Sequence, residues 1–173
     1  MSAPRYRLAV EDALHEGARV TLSSAAAHYL TQVVRLTEGN AVALFNRTDG
    51  TWQAVLSTCS KRAVILTCTT RLAAAPRPVG LTVCFAPIKG GRMETILEKA
   101  TELGASVLQP VRTARCVVDK VNLARSEAIV REAAEQCERG DWPVIRPLIT
   151  LTQLLADWPA RFPLIYGDEG GQS

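Results

Sequence analysis

No two of the five cysteines (Cys59, Cys68, Cys84, Cys116, Cys137) are spaced as a CxxC pair, and an odd number cannot all pair within one chain. A structural zinc site and a disulfide framework are therefore not expected, and the thiols read as small hydrophobes in apolar company. No metal site is assigned. No apolar run approaches the roughly 20 residues that a membrane-spanning helix needs. The opening MSAPRYRLAVEDALHEG has acidic residues where an export signal would place its apolar stretch, so the reading is of a cytoplasmic protein without a membrane partner. HExxH, a nucleophile elbow and a Ser-His-Asp arrangement are missing, which disfavours hydrolysis. Internal repeats and low-complexity tracts are missing too. Charge of either sign is in small excess only: a net +3 permits a nucleic-acid partner without requiring one.

What is there is the composition of an ordinary globular chain, 173 residues long with 47% hydrophobic and 21% charged residues, enough for one sizeable core or two smaller ones. From Arg5 to Arg71, short apolar segments (RYRLAV, ARVTLS, AVALFN, TWQAVLST, RAVILTCTT) alternate with turn signals, and Asp49-Gly50 marks a hairpin. A helical turn or two over Ser24–Leu36, capped by Ser23 or Ser24, interrupts them. This predicts a small β-barrel over 1–72. AAAPRPVG, with two prolines, predicts a linker over 73–80.

Beyond it, over 81–173, strand and helix alternate: LTVCFAPI, a helix over 91–103, SVLQPV, a helix over LARSEAIVREAAEQCERG, then PVIRPLI, TLTQLLADW and FPLIYG. Continuously apolar strands alternating with helices imply a parallel sheet covered on both faces. The first helix places Met93, Ile96, Leu97, Ala100 and Leu103 on one stripe and ends at Gly104. The second buries Ile129, Val130, Ala133, Ala134 and Cys137 and closes at Gly140.

Lys89-Gly90-Gly91-Arg92 falls at the carboxyl end of a strand and the start of a helix, where open α/β sheets place ligands. It is neither GxGxxG nor Walker A. Two readings stand: a phosphate site, or a strand-to-helix turn with solvated charges. Arg112 and Arg115 follow the next strand and could complete a cationic cluster suited to a polyanion. Arg131, Glu135 and Arg139, four apart, suit mutual ion pairs on a wet helix face, and Gln136 borders the apolar stripe. In the first unit, Arg5, Arg7 and Arg35, with His28 and Tyr29, suit either structured RNA or plain solvent.

Taken together, PRYRL, HYLTQVVRLTEGNAVALFN, KGGRMETILEKATELGASVLQPVRTARC and REAAEQCERGDWPVIRPL resemble the small-subunit ribosomal RNA methyltransferase E family, which methylates N3 of a uracil in 16S ribosomal RNA. The resemblance implies an α+β protein of two domains: a PUA-like RNA-binding barrel and an α/β SPOUT domain whose end is tied in a trefoil knot. It also implies a homodimer, with S-adenosylmethionine held in the knot near the subunit interface.

Positions matching the family are Arg5, His28 and Arg35 in the barrel, and Lys89, Arg92, Lys99, Glu102, Arg115, Gln136 and Arg139 beyond it. With Arg7 added, the expected substrate or RNA contacts are Arg5, Arg7, His28, Arg35, Lys89, Arg92, Arg115 and Arg139. Lys99, Glu102 and Gln136 are expected to position others, and no residue is assigned as catalytic base. Family members carry a GPEGG-type loop, whereas this chain ends YGDEGGQS, with Asp168 where the proline should stand. FPLIYGDE is accordingly read as the strand before that loop, and the donor site as lying mostly beyond Ser173, which would leave the SPOUT domain incomplete and the chain inactive alone. The rival readings are an RNA-binding fragment without catalysis and a small-molecule enzyme with a phosphate site at Lys89–Arg92.

Overall fold

A computed structural model describes residues 4–60, 63–77 and 79–167. The first unit is a five-stranded sheet of β1 (Arg7–Ala9), β2 (Arg19–Thr21), β3 (Ala41–Asn46), β4 (Gly50–Cys59) and β5 (Val64–Ala73), with strand order β1-β3-β4-β5-β2. Only β1 and β3 run parallel; the other pairs are antiparallel. Three register shifts between β4 and β5 coil the sheet around one core. Leu8, Val20, Val42, Leu44, Leu56 and Leu66 fill that core. Leu30, fully buried, enters it from the helical segment: α1 (Ser24–His28), capped by the Ser23 hydroxyl accepting from Ala26 N, then a π-helical turn over Tyr29–Val33.

The hairpin expected at Asp49-Gly50 joins β3 to β4. Asn46 holds it: its Oδ1 accepts from Thr48 N and Asp49 N, and its Nδ2 donates to Asp49 Oδ2 and Asp12 O. Asp49 also accepts from Leu14 N at 2.8 Å. These bonds, the Leu14 amide first, hold the Asp49 carboxyl below its ordinary range. Gly50 has φ +85°, and a Cβ there would meet Ala73 O at 2.2 Å. Both the dihedral and the close approach require glycine.

The second unit is a parallel sheet of β6 (Thr82–Phe85), β7 (Val107–Arg112), β8 (Val144–Ile145) and β9 (Ile149–Thr150). Both β8 and β9 pair with β7, separated by Arg146-Pro147-Leu148. Where Pro147 can donate nothing to the ladder, the buried Gln109 side chain donates to its carbonyl at 2.8 Å. Helices α2 (Arg92–Glu102) and α3 (Leu123–Gln136, capped by Asn122) pack on this sheet, and α4 (Leu151–Asp157) opens with a Thr150–Gln153 capping box. No described helix is long and apolar enough to cross a membrane.

Several expectations need correction. Leu103 is 80% exposed, not on the buried stripe, because it caps α2 just before Gly104 turns the chain at φ +93°. Cys137 is exposed for the same reason: it caps α3, which ends at Gln136 and not at Gly140, with Glu138 at φ +60° making the left-handed turn. Cys59, at the end of β4, is also exposed, so of the five thiols only Cys68 lies in a core.

FPLIYG forms no strand: a turn in which Phe162 N donates to Pro159 O and Trp158 Nε1 to Phe162 O carries the chain off α4, and Ile165 stands 91% exposed. The terminal Glu169-Gly170-Gly171 lies outside the described residues. Gly50→Ala is expected to destabilise the chain by roughly 2–4 kcal/mol, read as a lower urea midpoint with unchanged slope.

Candidate nucleic-acid interface

The two units share a core. β3 is buried on both faces: Val42 and Leu44 point into the first sheet's interior, while Phe45 joins Leu97, Leu108, Val130, Ala134 and Trp142 in the second. Phe45 and Trp142 meet edge to face, ring centroids 5.9 Å apart, worth about 0.5–1.5 kcal/mol beyond their burial. Arg47 and Arg131 both lie over the Trp142 ring, at 4.5 and 5.0 Å. Arg47 also donates to the Trp142 and Pro143 carbonyls, and Arg131 pairs with Glu11 of the first unit. Neither Arg47 nor Trp142 stood out in the sequence, where 95 residues separate them and nothing links the two.

Helix α3 completes the junction. Glu135 Oε1 accepts from Ala9 N at 2.8 Å, so the wet-face reading of this residue gives way to a half-buried carboxylate capping the end of β1. Burial raises its pKa against the lowering pull of that bond. Arg139, expected at the RNA surface, is directed inward: Nε and Nη2 donate to Asp141, and Nη1 to the Thr101 and Ala105 carbonyls at the end of α2. Arg7 is similarly engaged, its guanidinium 4.9 Å from the Phe45 centroid and donating to Arg139 O.

The remaining cations divide between two places. At the carboxyl ends of β6 and β7, Lys89, Gly90 and Gly91 line a cleft of about 560 Å³ with Asp119, Lys120 and Arg125. Gly90, at φ +78°, turns the strand into α2. Arg125 and Glu94 pair across this cleft, between α3 and α2. Arg92, Arg112 and Arg115 are exposed nearby in sequence but do not line it, so the expected four-cation cluster contributes Lys89 alone; Asp119 and Lys120, from the irregular loop before α3, were overlooked because no periodicity singles out loop residues.

The second place is a cleft of about 250 Å³ between the units, where Arg5 and Arg7 meet Gln136. His28 is exposed on α1 and lines a separate shallow depression, and Arg35 is exposed at φ +62° just after the π turn. Lys99 and Glu102 pair with one another at 2.7 Å on the outer face of α2. Among the described residues no cluster suited to a metal ion occurs.

Residues 75–173, more than half of the chain, match a family model described as an RNA methyltransferase domain. The chain belongs to that family. Residues 22–67 match a second model, the RNA methyltransferase PUA domain. The chain is 37% identical over 153 residues to the ribosomal RNA small subunit methyltransferase E of Synechocystis, covering 87% of itself and 50% of that protein. With the enzyme of the same name from Rickettsia conorii it shares 31% over 150 residues, 86% of the chain and 62% of the relative.

The chain thus spans between half and two thirds of the length of these relatives. Among solved structures, the Neisseria gonorrhoeae methyltransferase E bound to S-adenosyl methionine superposes with a TM-score of 0.80 at 27% identity, over 90% of this chain and 66% of that one. A methyltransferase of Legionella pneumophila in complex with the same cofactor gives 0.83 at 25%, over 94% and 70%. The PUA-like unit followed by a methyltransferase unit, expected from the sequence, is the architecture of this family.

Arg139→Ala should lower stability by roughly 3 kcal/mol, since it strips the half-buried Asp141 and two carbonyls of their donor, while RNA affinity of the folded protein changes less than twofold. Glu135 binds its proton more tightly folded than unfolded. Its contribution is therefore present at low pH and lost as pH rises from the ordinary 4.5 through the raised value. Relative to Glu135→Gln, the wild-type chain should lose stability over that window in denaturation midpoints measured at successive pH.

Proposed function

We propose that this chain acts in S-adenosylmethionine-dependent methylation of N3 of a uridine in 16S ribosomal RNA, as a cytoplasmic homodimer. The proposed division has an RNA-gripping unit over 1–72, a linker over 73–80 and a methyltransferase unit over 81–173. One observation carries the RNA part: Arg5, Arg35, Lys89, Arg92, Arg112 and Arg115 are exposed and have no acidic partner among the described residues, whereas Arg125, Arg131 and Arg139 are neutralised. Unpaired cations on both units suit phosphates.

The chemistry demands more. Uracil N3 carries a proton and is hidden in base pairs, so the base must be unpaired, held and made nucleophilic. S-adenosylmethionine would supply an electrophilic methyl group. The described residues do not by themselves fit that donor: the larger cleft is open, and the Glu94 carboxylate that could take a ribose is engaged by Arg125. The same observation favours a second reading, RNA binding without catalysis by these residues.

Binding to 30S subunits should weaken about a hundredfold between 50 and 200 mM salt, as expected for roughly four phosphate contacts. Undetectable or salt-independent binding would refute the RNA reading. Calorimetric titration with S-adenosylmethionine then separates the two forms: measurable heat supports catalysis by this chain, and its absence supports binding alone.

A further inference from the structure

The small cleft between the units has the makings of a nucleotide site. Arg5 and Tyr6 come from the chain entering β1, Tyr29 from the helical segment of the first unit, and Glu135, Gln136 and Glu138 from the end of α3 in the second. At about 250 Å³ it is smaller than the roughly 300–1,000 Å³ of sites that enclose whole cofactors, and it suits one base with its sugar. Three of its groups have no side-chain hydrogen-bond partner among the described residues: the Arg5 guanidinium, the Tyr29 hydroxyl and the Gln136 amide. Arg5 rests 5.7 Å from the Tyr6 ring centroid, which orients its charge without neutralising it.

Tyr29 is 41% exposed although its neighbour Leu30 is wholly buried, so the ring is held at the cleft by an anchored backbone. It opens the π-helical turn, closed by Val34 N donating to Tyr29 O at 2.9 Å, and that turn ends on Arg35 in the left-handed region. Single π turns and non-glycine residues with positive φ cost stability and concentrate at functional sites.

We propose that this cleft receives one unpaired nucleotide of RNA, with the base on the Tyr29 ring, its edge against the Gln136 amide and its phosphate on Arg5. The proposal rests on the RNA-binding reading above and deepens it. Glu135 and Glu138 on the α3 wall repel a phosphate from that side and favour the N–H groups of a base edge, which fixes the orientation. Gln136 donates and accepts from one planar group, the pattern base edges present; aromatic stacking with edge recognition is how proteins read unpaired RNA. Because the walls come from both units, the site exists only when the Phe45–Trp142 junction is closed.

The test uses the whole chain and a fluorescein-labelled ten-nucleotide single-stranded RNA, alone and annealed to its complement, followed by anisotropy. The single strand should bind more tightly than the duplex. Tyr29→Ala should weaken it by roughly ten- to a hundredfold, as loss of one stacked base does, and Tyr29→Phe should retain most affinity. Gln136→Ala should weaken it several-fold, while Arg92→Ala, outside the cleft, should affect strand and duplex alike.

Circular dichroism melts confirm that the variants fold; both target side chains are solvent-accessible, so their loss leaves the cores intact. Wild-type affinity in Tyr29→Ala and Gln136→Ala, with single-strand binding intact, would overturn the cleft assignment and leave the RNA reading standing. A wild-type chain that binds neither the oligonucleotide nor 30S subunits would overturn both.

Discussion

The junction between the units depends on one side chain leaving its own sheet. Phe45 occupies an outward position of β3, where a free-standing barrel would carry a polar residue, and is fully buried in the core of the second unit. Around it the interactions are mutually dependent: Trp142 packs on Phe45, Arg47 and Arg131 cover Trp142, and Arg7 covers Phe45 while bonding the backbone at Arg139. Arg139 in turn ties the end of α2. Removing the Phe45 ring would strip Arg7 of the surface that orders it and Trp142, which carries Arg47 and Arg131, of its edge-to-face partner. Neither unit can therefore be considered apart from the other.

Much of the fold was legible because period and punctuation agreed. AVALFN, TWQAVLST and RAVILTCTT were bounded by turn residues and became β3, β4 and β5; Gly104 marked where α2 ends. The double burial of β3 was also written in its composition, since Ala-Val-Ala-Leu-Phe has no polar alternation, but a run of that length does not reveal which neighbour covers its second face. FPLIYG misled for a related reason. Apolar content qualifies a segment for a strand, but a strand also needs a free ladder to join, and in the structure the turn at Pro159–Phe162 leads the chain elsewhere.

The site was less legible than the fold because charge type does not disclose direction. Arg5 and Arg139 are equally cationic in sequence, but Arg5 is solvent-facing and Arg139 is enclosed with an aspartate two residues away. The Arg139–Asp141 spacing was present to be read, whereas the Glu11–Arg131 pair, 120 residues apart, was not. Family resemblance singled out Arg5 and Arg139 alike, without distinguishing a solvent-facing cation from an enclosed one.

The buried amide of Gln109 carries a consequence for assembly of the parallel sheet. Sliding β8 and β9 along β7 by one residue would move Pro147 out of its reach and leave the enclosed amide with the Pro110 carbonyl alone, in addition to turning every apolar side chain to the wrong face. The interruption at Pro147 is thus a key that only one alignment of the strands can turn, and it sets the height at which the carboxyl ends of the sheet, and the Lys89 cleft above them, finish.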